Sequence, residues 1–232
     1  NGLASNSIAS SVTDAKGNLW FGTTKGLTKY SNEKFKTFTT KDGLLEKDII
    51  SLLLDKEGNI WIGTYRGGLS KYNHESFTNY SKMDGSSHYS VYSLFEDSKT
   101  NIWVGTIWGL MKYADGKMTD YSHLKEFCSN FIIGITEDKV GNIWLATEKC
   151  VMIYDGVNFT SLTTKNGLSS DFICLVHNDA NGNIWIGTDN GIDRITLDSN
   201  GQLLNIKNFK LSQDDKGVEF NENTVYEDSK HN

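Results

Sequence analysis

The sequence predicts an all-β protein, a β-propeller of four-stranded antiparallel blades. Three observations predict it. The phrase Asp-x-x-Gly-Asn-Ile-Trp-Ile-Gly-Thr, complete at residues 55–64, returns around Trp20, Trp61, Trp103, Trp144 and Trp185 at spacings of 41, 42, 41 and 41 residues. Self-similarity at a fixed period of this size marks a repeat architecture. Each repeat also parses into four short apolar or alternating runs separated by turn residues, the pattern of a propeller blade. Finally, the chain has 22 glycines and no proline, so its turns are built on Gly and Asn.

The second repeat shows the reasoning. Residues 48–54 form a short, nearly continuous apolar run, as expected of a strand buried on both faces. Asp55-Lys56-Glu57-Gly58-Asn59 is a turn: Asp bonds its own backbone two residues on, and Gly supplies positive φ. Ile60-Trp61-Ile62-Gly63-Thr64 is a second strand of β-branched and aromatic residues. Arg66-Gly67-Gly68 turns the chain into a third strand at 69–72, and 76–80 alternates as an outer fourth. A lone four-stranded sheet cannot bury both faces. Stacking on its neighbours does, with Trp61 and its equivalents filling the space between blades and Gly63 allowing a close approach of backbones.

The remaining repeats follow in order: blades at 8–38, 48–80, 89–121, 130–162 and 171–209, then the start of a sixth at 217–232. Blade three has Ser98-Lys99-Thr100 where the turn glycine is expected and carries a second tryptophan, Trp108. Blade four diverges most. Ala146 replaces the strand glycine, Cys150-Val151 stands for Gly-Leu, and 122–129 replaces the Lys-Asp-Gly-Leu opening. Blade five has Ile195 in place of the tyrosine and a longer third-to-fourth connection at 198–205. The 232 residues read as a single propeller piece of a longer protein, opening at the end of one repeat and stopping within another.

Net charge is −6 with a pI near 5.4, and no basic stripe marks a nucleic-acid binder. No apolar run reaches the roughly 18 residues of a membrane helix. Three cysteines at wide spacing, Cys128, Cys150 and Cys174, suggest neither a disulfide framework nor a metal site, and read as small buried apolar residues.

The motif Asp-x-x-Gly-Asn-[Leu/Ile]-Trp-[Phe/Ile]-Gly-Thr-x-x-Gly-Leu-x-x-Tyr resembles the repeat of two-component regulator propellers. Residues 14–30 and 55–72 match it almost fully, the second with one extra glycine; 97–113, 138–154 and 179–195 match with the departures above. The resemblance implies a seven-bladed parent propeller in the extracytoplasmic sensor part of a bacterial hybrid histidine kinase, anchored in the membrane by parts outside these residues. There such propellers resemble pairs of rings followed by a β-sandwich, a membrane helix and the kinase. It implies, too, recognition of extracellular oligosaccharides or their breakdown products, without catalysis in this part and without a cofactor.

Strand direction alternates within a blade. The uniform Asp turns therefore emerge at one end, and the variable second-to-third turns emerge with the entry segments at the other. Recognition concentrates in variable loops on a rigid scaffold. The candidate ligand-binding residues are accordingly Tyr65, Arg66, Trp108, His88 and Tyr89. Aromatic rings offer an apolar face to a sugar, and Arg offers a planar fork to a carboxylate or sulfate. The bland alternative is that Tyr65 and Trp108 plug the propeller's opening and His88 is an ordinary loop residue.

The five histidines fall at different blade positions without metal-ligand spacing, and Asp14, Asp55, Asp97, Asp138 and Asp179 recur because the turn needs them. Asp179–Asn183 resembles a calcium loop but has Asn190 at the twelfth position. Neither a metal nor a catalytic residue is expected. Two alternatives stay open: a lyase resembling streptogramin lyases, which share a Gly-Asn-Ile-Trp phrase and use a His/Glu metal site, and a protein-binding scaffold. An open blade edge is also expected to favour self-association.

Overall fold

The computed structural model describes residues 2–80 and 89–210. The expected start of a sixth blade, 217–232, and the candidate His88 lie outside them. Five antiparallel four-stranded sheets follow one another, each ordered as its strands occur in the chain. Blade one is β1 (Ile8–Thr13), β2 (Leu19–Thr23), β3 (Gly26–Ser31) and β4 (Lys34–Phe38). Blade two is β5 (Ile49–Leu54), β6 (Ile60–Thr64), β7 (Gly68–Tyr72) and β8 (Phe77–Tyr80). Blade three is β9 (Val91–Glu96), β10 (Ile102–Thr106), β11 (Gly109–Ala114) and β12 (Lys117–Asp120). Blade four is β13 (Ile132–Glu137), β14 (Ile143–Thr147), β15 (Val151–Tyr154) and β16 (Phe159–Leu162). Blade five is β17 (Ile173–Asn178), β18 (Ile184–Thr188), β19 (Gly191–Leu197) and β20 (Leu203–Lys210). The chain divides into two compact units, one holding blades one to three and the other blades four and five, with Trp108–Leu110 grouped with the second.

Strand pairing sorts each blade's side chains into two faces. In blade one, Thr13, Leu19, Tyr30 and Phe35 stand opposite one another along one row. Val12, Trp20 and Lys29 form the adjacent row, on the other face. We call the face with the tryptophan the trailing face, because it packs on the blade that follows; the opposite one is the leading face. In the first unit Trp20, Leu27 and Phe38 bury against Leu52, Ile60, Ile62 and Tyr72 of blade two. Trp61 and Leu69 bury in turn against Val91, Ile102 and Val104 of blade three. In the second unit Trp144, Ala146 and Val151 bury against Val176, Ile184, Ile186 and Ile195. The strand glycine has the role expected of it: a Cβ on Gly63 would lie 2.7 Å from both the Val91 side chain and the Val91 carbonyl oxygen of the next blade. Direct bonds join the sheets as well, Ser51 Oγ donating to Val91 O at 2.9 Å and Asn178 Nδ2 to Glu137 O at 2.8 Å.

The structure corrects two sequence expectations. Cys128 and Cys150 form a disulfide across 22 residues, Cα–Cα 6.4 Å, and only Cys174 is a free buried thiol. The link pins the atypical entry segment of blade four to the turn between its own second and third strands. Blades two and five instead enter through a single 3-10 turn, Thr40–Asp42 and Thr164–Asn166, each with a reciprocal capping box and a left-handed Gly43 or Gly167. The buried Leu44 and Leu168 follow those glycines. The third-to-fourth connection of blade five is only 198–202, because Asp198 Oδ1 accepts from the Asn200 and Gln202 amides and Gly201 takes φ 78°. That is the geometry of the repeat's own Asp turn, so Leu203–Asn205 join the strand.

Candidate ligand-binding face

Every repeat ends its second strand on a fully buried threonine: Thr23, Thr64, Thr106, Thr147 and Thr188. Four of these hydroxyls donate to the carbonyl that opens the third strand, at Gly26, Gly68, Cys150 and Gly191, over 2.8, 2.9, 2.8 and 3.1 Å. The second-to-third turn is thereby a closed loop with its two central residues projecting. The sequence motif contains this threonine, but its spacing alone does not disclose the clasp.

In blade two those residues are Tyr65 and Arg66. The Tyr65 amide donates to Asp48 O at 2.8 Å, and the Arg66 amide to Ser90 Oγ at 3.0 Å. Arg66 takes φ 61°, and its guanidinium lies over the Tyr65 ring, 5.0 Å from the centroid. The turn is thus tied to the entry segments of blades two and three and offers a ring, 41% exposed, capped by a cation. Trp108 occupies the corresponding turn of blade three and is 55% exposed. Tyr89 differs from expectation: it is 1% exposed and packs among Trp61, Leu69 and Val91. Its carbonyl accepts from the Gly68 amide at 2.9 Å, which draws the residue under blade two's third strand and turns its side chain inward. Tyr65, Arg66 and Trp108 therefore project from turns, Tyr89 does not, and Tyr65 and Arg66 are brought into contact.

Blade five holds its entry differently. Asp193, fully buried, accepts from the Ser169 amide and hydroxyl at 2.8 and 3.0 Å and from Asn208 Nδ2 at 2.7 Å. In blade four Met152 stands at that position and the disulfide supplies the attachment.

At the opposite end, the five turn aspartates have the structural role read from their recurrence. Each accepts from its blade's Trp Nε1, at 3.0, 2.8, 2.9, 2.9 and 2.9 Å along the chain. Each also accepts from the turn's Asn side chain. Burial pushes the Asp14 carboxyl up, but hydrogen bonds from Trp20, Asn18 and the Asn18 and Lys16 amides outweigh it and hold the group at about 2. Asp97 and Asp179 are lowered by the same balance. A carboxyl depressed in the folded state contributes stability that is present above its unfolded value and lost as pH falls through its folded one. Tm should therefore decline as pH drops from about 4, the unfolded aspartate value, towards the Asp14 value of about 2. A Tm that holds or rises across that window would show these turns to be uncharged in the fold.

Hollows also open at this end. One of about 310 Å³ is lined by Asp14, Lys29, Glu57 and His74, and one of about 230 Å³ by Asp55, Lys71, Glu96 and Asp115. Their walls are already engaged: Lys29 and Lys71 cap the Trp20 and Trp61 rings at 5.0 and 5.1 Å, and His74 Nε2 lies 2.7 Å from the Gly58 carbonyl oxygen.

The family model described as two component regulator propeller matches five times, over residues 2–25, 43–66, 85–108, 126–149 and 167–190. The sequence has no match among curated proteins. Among solved structures, the chain is similar to the extracellular domain of BT3049 from B. thetaiotaomicron, described as a hybrid two component system. Identity is 26% and the TM-score 0.77, over 90% of this chain and 29% of that one. It is also similar to the extracellular domain of BT4673 from the same organism, described as a one component system. Here identity is 22% and the TM-score 0.68, over 97% of this chain and 38% of that one. The chain thus spans well under half of either domain. A catalytically inactive virginiamycin B lyase from Staphylococcus aureus shares the fold at 15% identity and TM-score 0.71, over 93% of this chain and 75% of the lyase.

Proposed function

The chain belongs to the two-component regulator propeller family, and on that premise we propose that it is the ligand-sensing propeller of a membrane-anchored sensor histidine kinase. It works outside the cytoplasm and recognises glycans or their breakdown products. The observation that carries the ligand class is the Tyr65–Arg66 turn: an exposed ring under a guanidinium, held by backbone bonds on both sides. A ring face stacks on the apolar side of a sugar, and the fork above it pairs with a carboxylate or sulfate. Trp108 offers a second exposed ring from its own turn. The extracytoplasmic location draws on the extracellular domain of BT3049 and on the Cys128–Cys150 disulfide, a bond that persists in oxidising compartments.

The chain itself performs no chemistry in this reading. A ligand transmits by binding one arrangement of the receptor more tightly than another; equal affinity for both shifts nothing. The test is a thermal-shift screen against neutral and acidic oligosaccharides with each mixture analysed for product. A concentration-dependent rise in Tm without product is expected, strongest for an acidic sugar. Turnover would transfer the function to the lyase class, and the absence of a shift with every glycan would refute glycan recognition by this propeller.

A further inference from the structure

The second-to-third turn of blade two is one residue longer than those of blades one, four and five. Thr64 closes on Gly68, four residues on, whereas Thr23, Thr147 and Thr188 close on Gly26, Cys150 and Gly191, three residues on. The added residue is Gly67. A Cβ there would overlap the Glu46 side chain and lie 2.6 Å from Thr64 Oγ1, so any larger residue would push the turn off its entry segment. In the shorter turns the clasp hydroxyl also holds the second turn residue. The Lys25, Lys149 and Asn190 amides donate to Thr23, Thr147 and Thr188 Oγ1 at 3.2, 3.2 and 3.1 Å. In the longer turn the equivalent Arg66 amide donates instead to Ser90 Oγ of blade three at 3.0 Å, and the Gly68 amide to Tyr89 O at 2.9 Å. The turn is thus a strap from blade two onto the entry of blade three.

The strap governs where the Arg66 charge sits. Arg66 has a left-handed backbone, φ 61°, which Lys25, Lys149 and Asn190 do not share. An arginine stays in that region only where its surroundings hold it. The bond to Ser90, itself 1% exposed, supplies the hold and sets the guanidinium over the Tyr65 ring. Among the described residues no carboxylate forms an ion pair with Arg66, and Oε1 of the neighbouring Glu46 accepts from the Lys47 amide at 2.8 Å. Resting on the reading of this turn as a glycan site, we propose that Ser90 and Gly67 are positioning residues that set its charge selectivity. They fix the guanidinium over the ring, so that a sugar carrying a carboxylate or sulfate is preferred to its neutral counterpart. An Arg66 released from the strap must be ordered at each binding event, and that cost falls on the charged contact. The Tyr65 ring still offers its face to either sugar.

The test compares the native chain with Ser90→Ala and with a chain lacking Gly67, whose turn then has the length found in blades one, four and five. The probes are a trimer of galacturonic acid and the neutral trimer of galactose, with affinities read by calorimetry. The native chain should prefer the acidic trimer, and each variant should lose about tenfold of that preference. A merely structural role would weaken both trimers alike. Should the deletion unfold the chain, Ser90→Ala decides alone. Amide exchange followed by NMR gives a readout without ligand. In Ser90→Ala the Arg66 amide should exchange faster while the amides of 60–64 keep their native rates, which separates a released turn from an unfolded blade. Equal exchange at Arg66 in the two chains would overturn the strap. A native preference that the variants retain would overturn the positioning role and leave glycan recognition standing. A native chain that binds neither trimer, or both alike, would overturn the selectivity itself.

Discussion

Replacing Trp61 with alanine is expected to destabilise the fold by about 3–5 kcal/mol, the range for deleting a large buried aromatic. Trp61 is 1% exposed and lies between Tyr80, stacked at 5.9 Å, and Tyr113, tilted at 5.0 Å. The Lys71 ammonium caps its ring, and its Nε1 donates to Asp55 at 2.8 Å. Truncation opens a cavity between two blades and removes one donor from a buried carboxylate. Two comparisons separate these terms. Trp61→Phe keeps most of the ring volume and loses the donor, so its cost should be intermediate. Trp185→Ala should cost less than Trp61→Ala, because Trp185 is already partly exposed. Urea unfolding of the three variants measures this ordering, and equal losses at Trp61 and Trp185 would show that interblade burial does not set the cost.

Breaking the Cys128–Cys150 bond ranks second in expected effect. A link closing a loop of 22 residues should contribute about 3 kcal/mol by restricting the unfolded chain. Blade four has more need of it than its neighbours. Its entry lacks both the capped 3-10 turn of blades two and five and a carboxylate like Asp193 to hold the segment. Urea unfolding of Cys128→Ser with and without reductant should show one destabilised midpoint that reductant leaves unchanged, while the native chain falls to it only when reduced. Titrating thiols in the unfolded, unreduced native chain should find Cys174 alone. Three reactive thiols would contradict the bond.

Much of the fold was legible because the repeat states it five times. The 41-residue spacing of the tryptophans, the Asp-to-Asn turns and the strand glycine each answer a local need that recurs. A turn must satisfy its own amides, and a sheet must let the next one approach. What was not legible depends on non-local meetings. Cys128 and Cys150 are separated by two strands, and nothing in their spacing says that the entry segment folds back onto the turn. Tyr89 reads as a loop residue until the bond from the Gly68 amide to its carbonyl places it under the neighbouring blade. Asp198-Ser199-Asn200-Gly201-Gln202 carries the repeat's turn chemistry away from its usual place, and counting by period passes over it. The projecting turn at Tyr65 and Arg66 was legible by exclusion, because these residues vary where the scaffold does not. The contact between them was not, since it depends on the left-handed backbone of Arg66.

The measurement closest to the functional proposal is the affinity of the oligosaccharide giving the largest thermal shift. It would be determined by calorimetry for the native chain, for Tyr65→Ala and Arg66→Ala, and for Lys29→Ala and Glu57→Ala at the opposite end. Loss of a stacked ring or a charge-assisted fork should weaken binding about tenfold or more, some 1.4 kcal/mol, at Tyr65 and Arg66, with native affinity at Lys29 and Glu57. Native affinity at Tyr65 and Arg66 with loss at Lys29 or Glu57 would place recognition in the hollows of the aspartate turns and contradict the assignment of the variable turns as the sensing face.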